Sequence, residues 1–413
     1  MDKNYAKLPY VYWQETEGQT NEKAAVEKTL RKVADKILAD TSFKLINTKT
    51  GETYDDSTNI PVSADIKPES GYNDWKYWNG VMNIALIQLG KLLNEQKYID
   101  YAIKNYDFGF KHLPYFKKQF DAGIHYAPFH QYFRMDRLDD CGAMGAGLID
   151  AYAYKKNPDY MKRIEETAKY ILNKQDRLDD GTYIRKRFGK TTLWGDDLYM
   201  STPFLVRMGN LTEDEKYHDD AAIQVREFHE KLWNPYNGLM HHTWCKELGT
   251  HGVAHWGRVN GWMMMGTTEV ITYLPKNHPK RAELIKLLFK QIVGVSRYQS
   301  ANGLWHQLLD KTDSFLESSS TSMFTYGVAK AVNEGWIEDV YSSIAVNGWK
   351  GLDTCITPEG DLDKVSLGFN IRQDLPFYYN IGIEPGGAHG IGAYLLAGVE
   401  VLKMKEFRDC MWC

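Results

Sequence analysis

Residues 157–164 read NPDYMKRI: a polar turn, then an aromatic at the head of a helical pattern. The same signature returns at EQKYIDYA (95–102, around Tyr98), EDEKYHDDA (213–221, around Tyr217) and NEGWIEDVY (333–341, around Trp336), and less closely at NHPKRAEL (277–284). The spacing is close to 60 residues, the length of one helical hairpin, and a period of that size marks stacked supersecondary units. Apolar periodicity predicts twelve helices, near 22–39, 73–93, 97–112, 141–155, 158–174, 197–208, 213–232, 259–274, 279–298, 320–333, 337–350 and 387–404. Strand alternation is rare, and 357–380 reads mostly as loop. Six hairpins form either an open solenoid or a closed ring. A solenoid repeats its motifs along one face. Here each loop between hairpins differs and is rich in His, Asp and Trp. The reading favours an all-α (α/α)6 barrel of six helical hairpins, with active-site loops at one end and the solenoid as the alternative. It takes 1–413 as a single catalytic domain, with 1–20 as an N-terminal extension.

Composition narrows the function classes. The 413 residues are 43% hydrophobic and 25% charged, ordinary for a globular chain and unlike a disordered or collagenous one. No run approaches the 18 or so apolar residues of a membrane-spanning helix, so no membrane is expected as partner. Net charge is −4, without the basic stripe of a nucleic-acid binder. The start, MDKNYAKLPYVYW, has no apolar core of signal-peptide length. That predicts a cytoplasmic protein, or a periplasmic one whose leader was removed before this numbering begins. The cysteines, Cys141, Cys245, Cys355, Cys410 and Cys413, are too few and scattered for a disulfide framework. Cys410 and Cys413 form a terminal Cys-x-x-Cys with no second pair nearby, so they read as incidental rather than as a zinc site. A monomer or homodimer is expected.

Three stretches carry candidate chemistry. In RMDRLDDCGAMGAG (134–147), Asp139 and Asp140 precede a small-residue helix start. They read either as caps or as a carboxylate at a barrel mouth, where the helix dipole favours its charge. In TTLWGDDLYMSTPFLVRMG (191–209), one of Asp196 and Asp197 is free if the other caps the helix. Trp194, two residues before Asp196, offers a platform for a sugar ring and is expected to raise the acid's pKa by desolvation. The bland alternative is a capped helix with a core Trp. In LMHHTWCKELGTHGVAHWGRVNGWMMMG (239–266), His241, His242, His251 and His255 cluster with Trp244, Trp256, Trp262 and Arg258. Only His251 and His255 have the i, i+4 spacing of helical metal ligands, and glycines interrupt that segment, so no metal is expected. The guanidinium of Arg258 suits a carboxylate between aromatic walls, with a structural ion pair as the alternative. No phosphate loop or Gly-x-Ser-x-Gly elbow is present. GGAHGIGA (386–393) lacks the βαβ context of a dinucleotide site. It reads as tight packing for the last helix, with His389 a second-tier site candidate.

Together these motifs resemble the unsaturated uronyl hydrolases of glycoside hydrolase family 105, with family 88 related. The residues that carry the resemblance are DDCGAMG (139–145), Trp-x-Asp-x-Leu-Tyr-Met (194–200), His-x-Trp (242–244), WGRVNGW (256–262), GLWHQLLD (303–310), LESSSTSMFTYG (316–327) and GAHGIGAYLLA (387–397). They run in order from about 70 to 404. The resemblance implies an (α/α)6 barrel, no metal or cofactor, and a substrate bearing a 4-deoxy-4,5-unsaturated uronic acid at its non-reducing end. It implies Asp196 as catalytic acid/base, Asp140 as second essential carboxylate, and His242, Trp256, Arg258 and Trp262 as site residues. It further implies Lys186 as a substrate-binding lysine and Tyr77 or Trp78 as the N-terminal aromatic. Asp197, Cys245 and Val259 depart from the family's common residues. The segments 41–72 and 357–380 have no counterpart in it.

The implied chemistry is hydration of a vinyl ether. A protonated carboxyl delivers a proton to C4, water adds to C5, and the hemiketal opens and expels the aglycone. The sequence reading expects Asp196 to be that acid, with Asp140 close enough to push its pKa up. Arg258 and Lys186 are expected to hold the uronate, and Trp194, Trp256, Trp262 and His242 to shape the sugar subsite. Competing readings are an inverting glycosidase on Asp140 and Asp196, an epimerase using two His, and a non-catalytic carbohydrate-binding protein.

Overall fold

The computed structural model describes residues 17–187 and 189–405. Cys410 and Cys413 lie outside the described residues. Among these, twelve helices have 11 residues or more: α1 Glu17–Asp40, α2 Tyr77–Leu93, α3 Gln96–Asp121, α4 Gly142–Tyr152, α5 Pro158–Asn173, α6 Thr202–Thr212, α7 Glu215–Leu232, α8 Gly257–Tyr273, α9 Arg281–Ser296, α10 Ser318–Asn333, α11 Ser342–Asp353 and α12 Ala388–Lys403.

The even-numbered helices are apolar or small-residue on nearly every side. Gly257 to Ile271 of α8 and Gly390 to Glu400 of α12 are buried without interruption. A helix apolar all round belongs inside. Accordingly α2, α4, α6, α8, α10 and α12 each pack on the next, and α12 packs back on α2. The odd-numbered helices are amphipathic and pack outside: α3 on α2, α5 on α4, α7 on α6, α9 on α8, α11 on α10 and α1 on α12. The inner helices approach closely where side chains vanish. A Cβ on Gly142 would collide with the Met200 carbonyl, and one on Gly80 would lie 2.6 Å from the Ala143 backbone.

The repeated aromatic has a structural reason. Asn157 caps α5 by accepting the Asp159 amide at 2.9 Å, with Pro158 in the first turn, where its missing N–H costs nothing. The buried Tyr160 that follows donates its hydroxyl to Asp107 of α3 at 2.9 Å. Tyr98 of α3 reaches Asp35 of α1 at 2.9 Å in the same way. Each of these aromatics pins an outer helix to the outer helix before it.

Helix boundaries depart from the sequence expectation, and in three places the physical reason is plain. The helix expected at 197–208 is split into a turn, Asp196–Tyr199, and α6, because Pro203 cannot continue a helix through its own first turn. Helix α3 runs nine residues past 112 and through Pro114, since Tyr115, Phe116 and Gln119 beyond it are buried. Before α11, the residues Asp339–Tyr341 wind as a tighter 3-10 turn.

Four short sheets, not expected from the sequence, lie in the loops among the described residues, and two of them have more than two strands. Arg185–Arg187 and Lys190–Trp194, from the loop before α6, and Thr243–Cys245 and Thr250–His251, from the loop before α8, form a four-stranded antiparallel sheet, pairing Arg185 with Thr192 and Trp194 with Thr243. Leu45–Asn47, Thr53–Tyr54 and Ile66–Pro68 form a three-stranded one. The last of these strands and the segment before it cover α3, where Gln119 donates to the Ser63 carbonyl at 2.7 Å and the Ile66 carbonyl at 2.9 Å. The 357–380 segment is mostly irregular, as expected, apart from a turn of helix at Leu375–Tyr379.

Candidate active site

The N-terminal ends of five inner helices meet around one cavity of about 350 Å³. Tyr77 and Trp78 open α2, Asp139 precedes α4, Asp196 and Met200 precede α6, Trp256 and Arg258 open α8, and His389 opens α12. Gly368 and Phe369 of the 357–380 loop form a lip. Helix N-termini present positive potential and free amides, so their convergence favours an anionic guest. The sixth inner helix, α10, points its N-terminus at the buried Glu317. That carboxylate accepts the amides of Ser319 (2.9 Å), Ser320 (2.7 Å) and, across the gap, Ser366 (2.9 Å).

Asp196 stands on the cavity wall with His242 beside it, Oδ2 to Nε2 at 3.2 Å. The Gly195 amide donates to the His242 carbonyl at 3.1 Å, which ties together the ends of the two strands that flank the pair. His242 Nδ1 lies 2.8 Å from the hydroxyl of Tyr378, a residue buried in the loop lip. With the phenol donating to Nδ1, the imidazole proton sits on Nε2 and is donated to Asp196. The expected raised acid is not what this arrangement produces. Burial pushes the Asp196 carboxyl up, but the hydrogen bond from His242, aided by the charge of Arg185, outweighs it and leaves Asp196 below the ordinary carboxylate range. Its neighbour Asp197 is instead raised, pushed up to about 6 by burial against the pull of Arg185. Asp197 is only 1% exposed and faces Arg185 rather than the cavity.

Arg185 is the hub of the carboxylate wall. Its fork grips Asp197 at 2.7 and 2.6 Å, and it reaches Asp139 at 3.0 Å. Its guanidinium lies 4.3 Å from the Trp194 ring centre. Opposite, Arg258 donates to the carbonyls of Ser366 and Leu367, and it lies 4.5 Å over Trp256. No carboxylate pairs with it among the described residues, and its buried Nε–H has no acceptor. A buried guanidinium held by carbonyls with donors to spare fits an incoming anion better than a structural ion pair. His389 lies against Trp78, ring centres 4.4 Å apart and the planes tilted by 47°, and is oriented by Glu384, which accepts from Nδ1 at 2.7 Å.

Of the residues the sequence singled out, the structure brings Tyr77, Trp78, Trp194, Asp196, His242, Trp256 and Arg258 to the cavity. It keeps three out. Asp140 is fully buried behind the wall, where it pairs with Arg134 through both oxygens and accepts the Asp136 amide at 3.1 Å. Its neighbour Asp139 takes the cavity position, and the sequence holds no signal to separate the two. Trp262 is 1% exposed behind Tyr77, with ring centres 6.0 Å apart. Lys186 points away, paired with Asp176 at 2.6 Å, because residues alternate along a strand. Counting by two through Arg185-Lys186-Arg187 would have found Arg185. Phe369, Tyr378 and Glu384 carried no signal, since their roles arise from loop packing.

The histidine cluster is a stack rather than a ligand sphere. His241 lies 4.3 Å from His251 and 4.6 Å from His255, ring centre to ring centre. Among the described residues no group of three or more His, Cys, Asp or Glu is placed to hold a metal ion. Cys141, Cys245 and Cys355 are buried free thiols. No helix among the described residues is long and apolar enough to cross a membrane.

Residues 45–405 match the family described as Glycosyl Hydrolase Family 88. An unsaturated rhamnogalacturonyl hydrolase, YesR, of Bacillus subtilis strain 168 is 26% identical over 271 residues, covering 64% of this chain and 77% of that protein. An unsaturated 3S-rhamnoglycuronyl hydrolase of Formosa agariphila is 27% identical over 301 residues, covering 67% and 75%. In fold, the chain is similar to a possible GH105 family member from Klebsiella pneumoniae. The TM-score is 0.73 at 23% identity, covering 96% of this chain and 97% of that one.

Proposed function

The chain belongs to glycosyl hydrolase family 88, and from that premise we propose that its cavity removes a 4-deoxy-4,5-unsaturated uronic acid from the non-reducing end of lyase-generated oligosaccharides. The protein is a glycoside hydrolase. The observation that carries the reading is Asp196, held by His242 on the wall of a cavity that also presents the acid-free Arg258 and the rings of Trp78, Trp194 and Trp256. We read the closed circuit of inner helices with its outer set as an (α/α)6 barrel, one catalytic domain over 1–413 with 1–20 as an extension, acting as a monomer or homodimer.

In this reading Arg258 takes the uronate, aided by the converging helix N-termini, and the aromatic rings take the sugar faces. Asp196 is ionised before substrate arrives. The uronate brings a like charge into the cavity, which raises a neighbouring carboxyl, so proton uptake by Asp196 is coupled to binding. Asp196 then delivers that proton to C4, and the cation at C5 is shared with the ring oxygen. Water adds to C5 and returns a proton to Asp196. The hemiketal opens to a C5 ketone, which leaves C1 as a hemiacetal that releases the aglycone alcohol. Asp139, rather than Asp140, is the second carboxylate facing this chemistry. His242, fixed by Tyr378, holds Asp196 in position.

The double bond absorbs in the low ultraviolet, and hydration removes that signal. Lyase digests of rhamnogalacturonan, ulvan and glycosaminoglycans should lose absorbance with the wild-type protein. Asp196→Asn should fold normally and turn over none of them. An inverting glycosidase or epimerase would leave the absorbance unchanged, and that result would remove the reading.

A further inference from the structure

A second hollow, about 330 Å³, adjoins the cavity and shares Arg185 as a wall. It runs along the free edge of strand Arg185–Arg187, between the end of α5 and the 135–137 loop. Its lining is basic, and not all of the charge is matched. Arg137 is paired with Asp136 at 2.8 Å and Lys186 with Asp176 at 2.6 Å, while Arg185 is taken by Asp139 and Asp197. Lys174 and Arg187 also line the hollow, and neither has an acidic partner among the described residues. Arg187 shares a strand face with Arg185 and lies 5.7 Å from the Trp194 ring centre, so an unmatched cation stands beside the cavity's own aromatic wall.

We propose that this hollow is an aglycone subsite that takes an anionic substituent, a sulfate ester or a second carboxylate, on Arg187 and Lys174. The inference rests on reading the cavity as the uronide site. A chain leaving that site past Trp194 reaches Arg187, which lines the hollow together with Lys174. Lys186 would hold an anion only by giving up Asp176, so it plays the lesser part.

The test compares wild type with the Lys174→Ala/Arg187→Ala double variant on three unsaturated disaccharides with the same uronide. Their aglycones are neutral, sulfated, and carboxylated. Both side chains reach solvent, and matching melting curves check the fold. The double variant should lose about tenfold in kcat/KM on a charged aglycone and stay within about twofold of wild type on the neutral one, with the gap narrowing in high salt. A loss confined to the sulfated or to the carboxylated substrate identifies the group. Equal losses on all three, or none, would overturn the proposal. If wild type turned over none of the three, the uronide reading would fail instead. Equilibrium binding of the sulfated disaccharide to both proteins would then decide the subsite, with equal affinities counting against it.

Discussion

Adjacent aspartates show how far apart two identical side chains can be in role. Asp139 shares Arg185 with Asp197 and faces the cavity, whereas Asp140 is sealed against Arg134 and its backbone carbonyl accepts the Trp75 indole at 2.8 Å. Asp139→Asn should therefore cut kcat at least a hundredfold with an unchanged melting temperature, a size typical of a lost site carboxylate. Asp140→Asn takes from Arg134 the buried one of its two charge partners, leaving Asp136 at 3.1 Å, and should cost about 1–3 kcal/mol in stability. Denaturant melts and steady-state kinetics on both variants separate the roles. An active, stable Asp139→Asn with an inactive, stable Asp140→Asn would reverse the assignment.

At the scale of elements, α10 gives up its N-terminus to build the lip. Glu317 ties three amides together, and the loop it anchors supplies the two carbonyls that hold Arg258 and the Phe369 ring, 4.5 Å from Trp256. Glu317→Ala would strand those buried amides at about 1–3 kcal/mol each. The melting temperature should fall, and KM should rise more than kcat falls, because the lip shapes binding rather than proton transfer. Glu317→Gln keeps an acceptor oxygen and should recover part of both. Unchanged KM in Glu317→Ala would mean that the lip is not needed to hold Arg258.

Across the whole molecule, buried histidines make the fold acid-sensitive. Burial is the first cause lowering His112 and His241 to about 4 and His229 to about 3, from an ordinary value near 6.5. These imidazoles stay neutral in the folded protein while the unfolded chain protonates below about 6.5. Their contribution is full above that pH and is lost as pH falls towards 4. The melting temperature should drop by several degrees between pH 7 and pH 5, followed by calorimetry. A flat curve over that range would contradict the burial of these rings. The core itself is bound by a charged network across four inner helices. Arg207 of α6 bridges Asp150 of α4 at 3.0 Å and Glu269 of α8 at 2.7 Å, and Glu269 accepts from Tyr326 of α10 at 2.6 Å.

The sequence by itself determined the helical hairpins and their order. Apolar period and the recurring aromatic are local signals, written within a dozen residues of each helix. It also pointed to most of the cavity, because Asp196, Trp256 and Arg258 sit in compact motifs at helix starts, with Trp194 and His242 at the strand ends beside them, and an arrangement of parallel inner helices brings these together. Tertiary structure alone decided which of two adjacent carboxyls faces inward, since Asp139 and Asp140 differ only in which side of a 3-10 turn they occupy. It decided that Arg185 enters the site and Lys186 does not, because strand alternation is visible only once the strand is known to exist. It decided the charge state of Asp196 as well. Sequence proximity to Trp194 speaks for a raised acid, but His242, 46 residues away, reaches it only in the folded chain and reverses the sign.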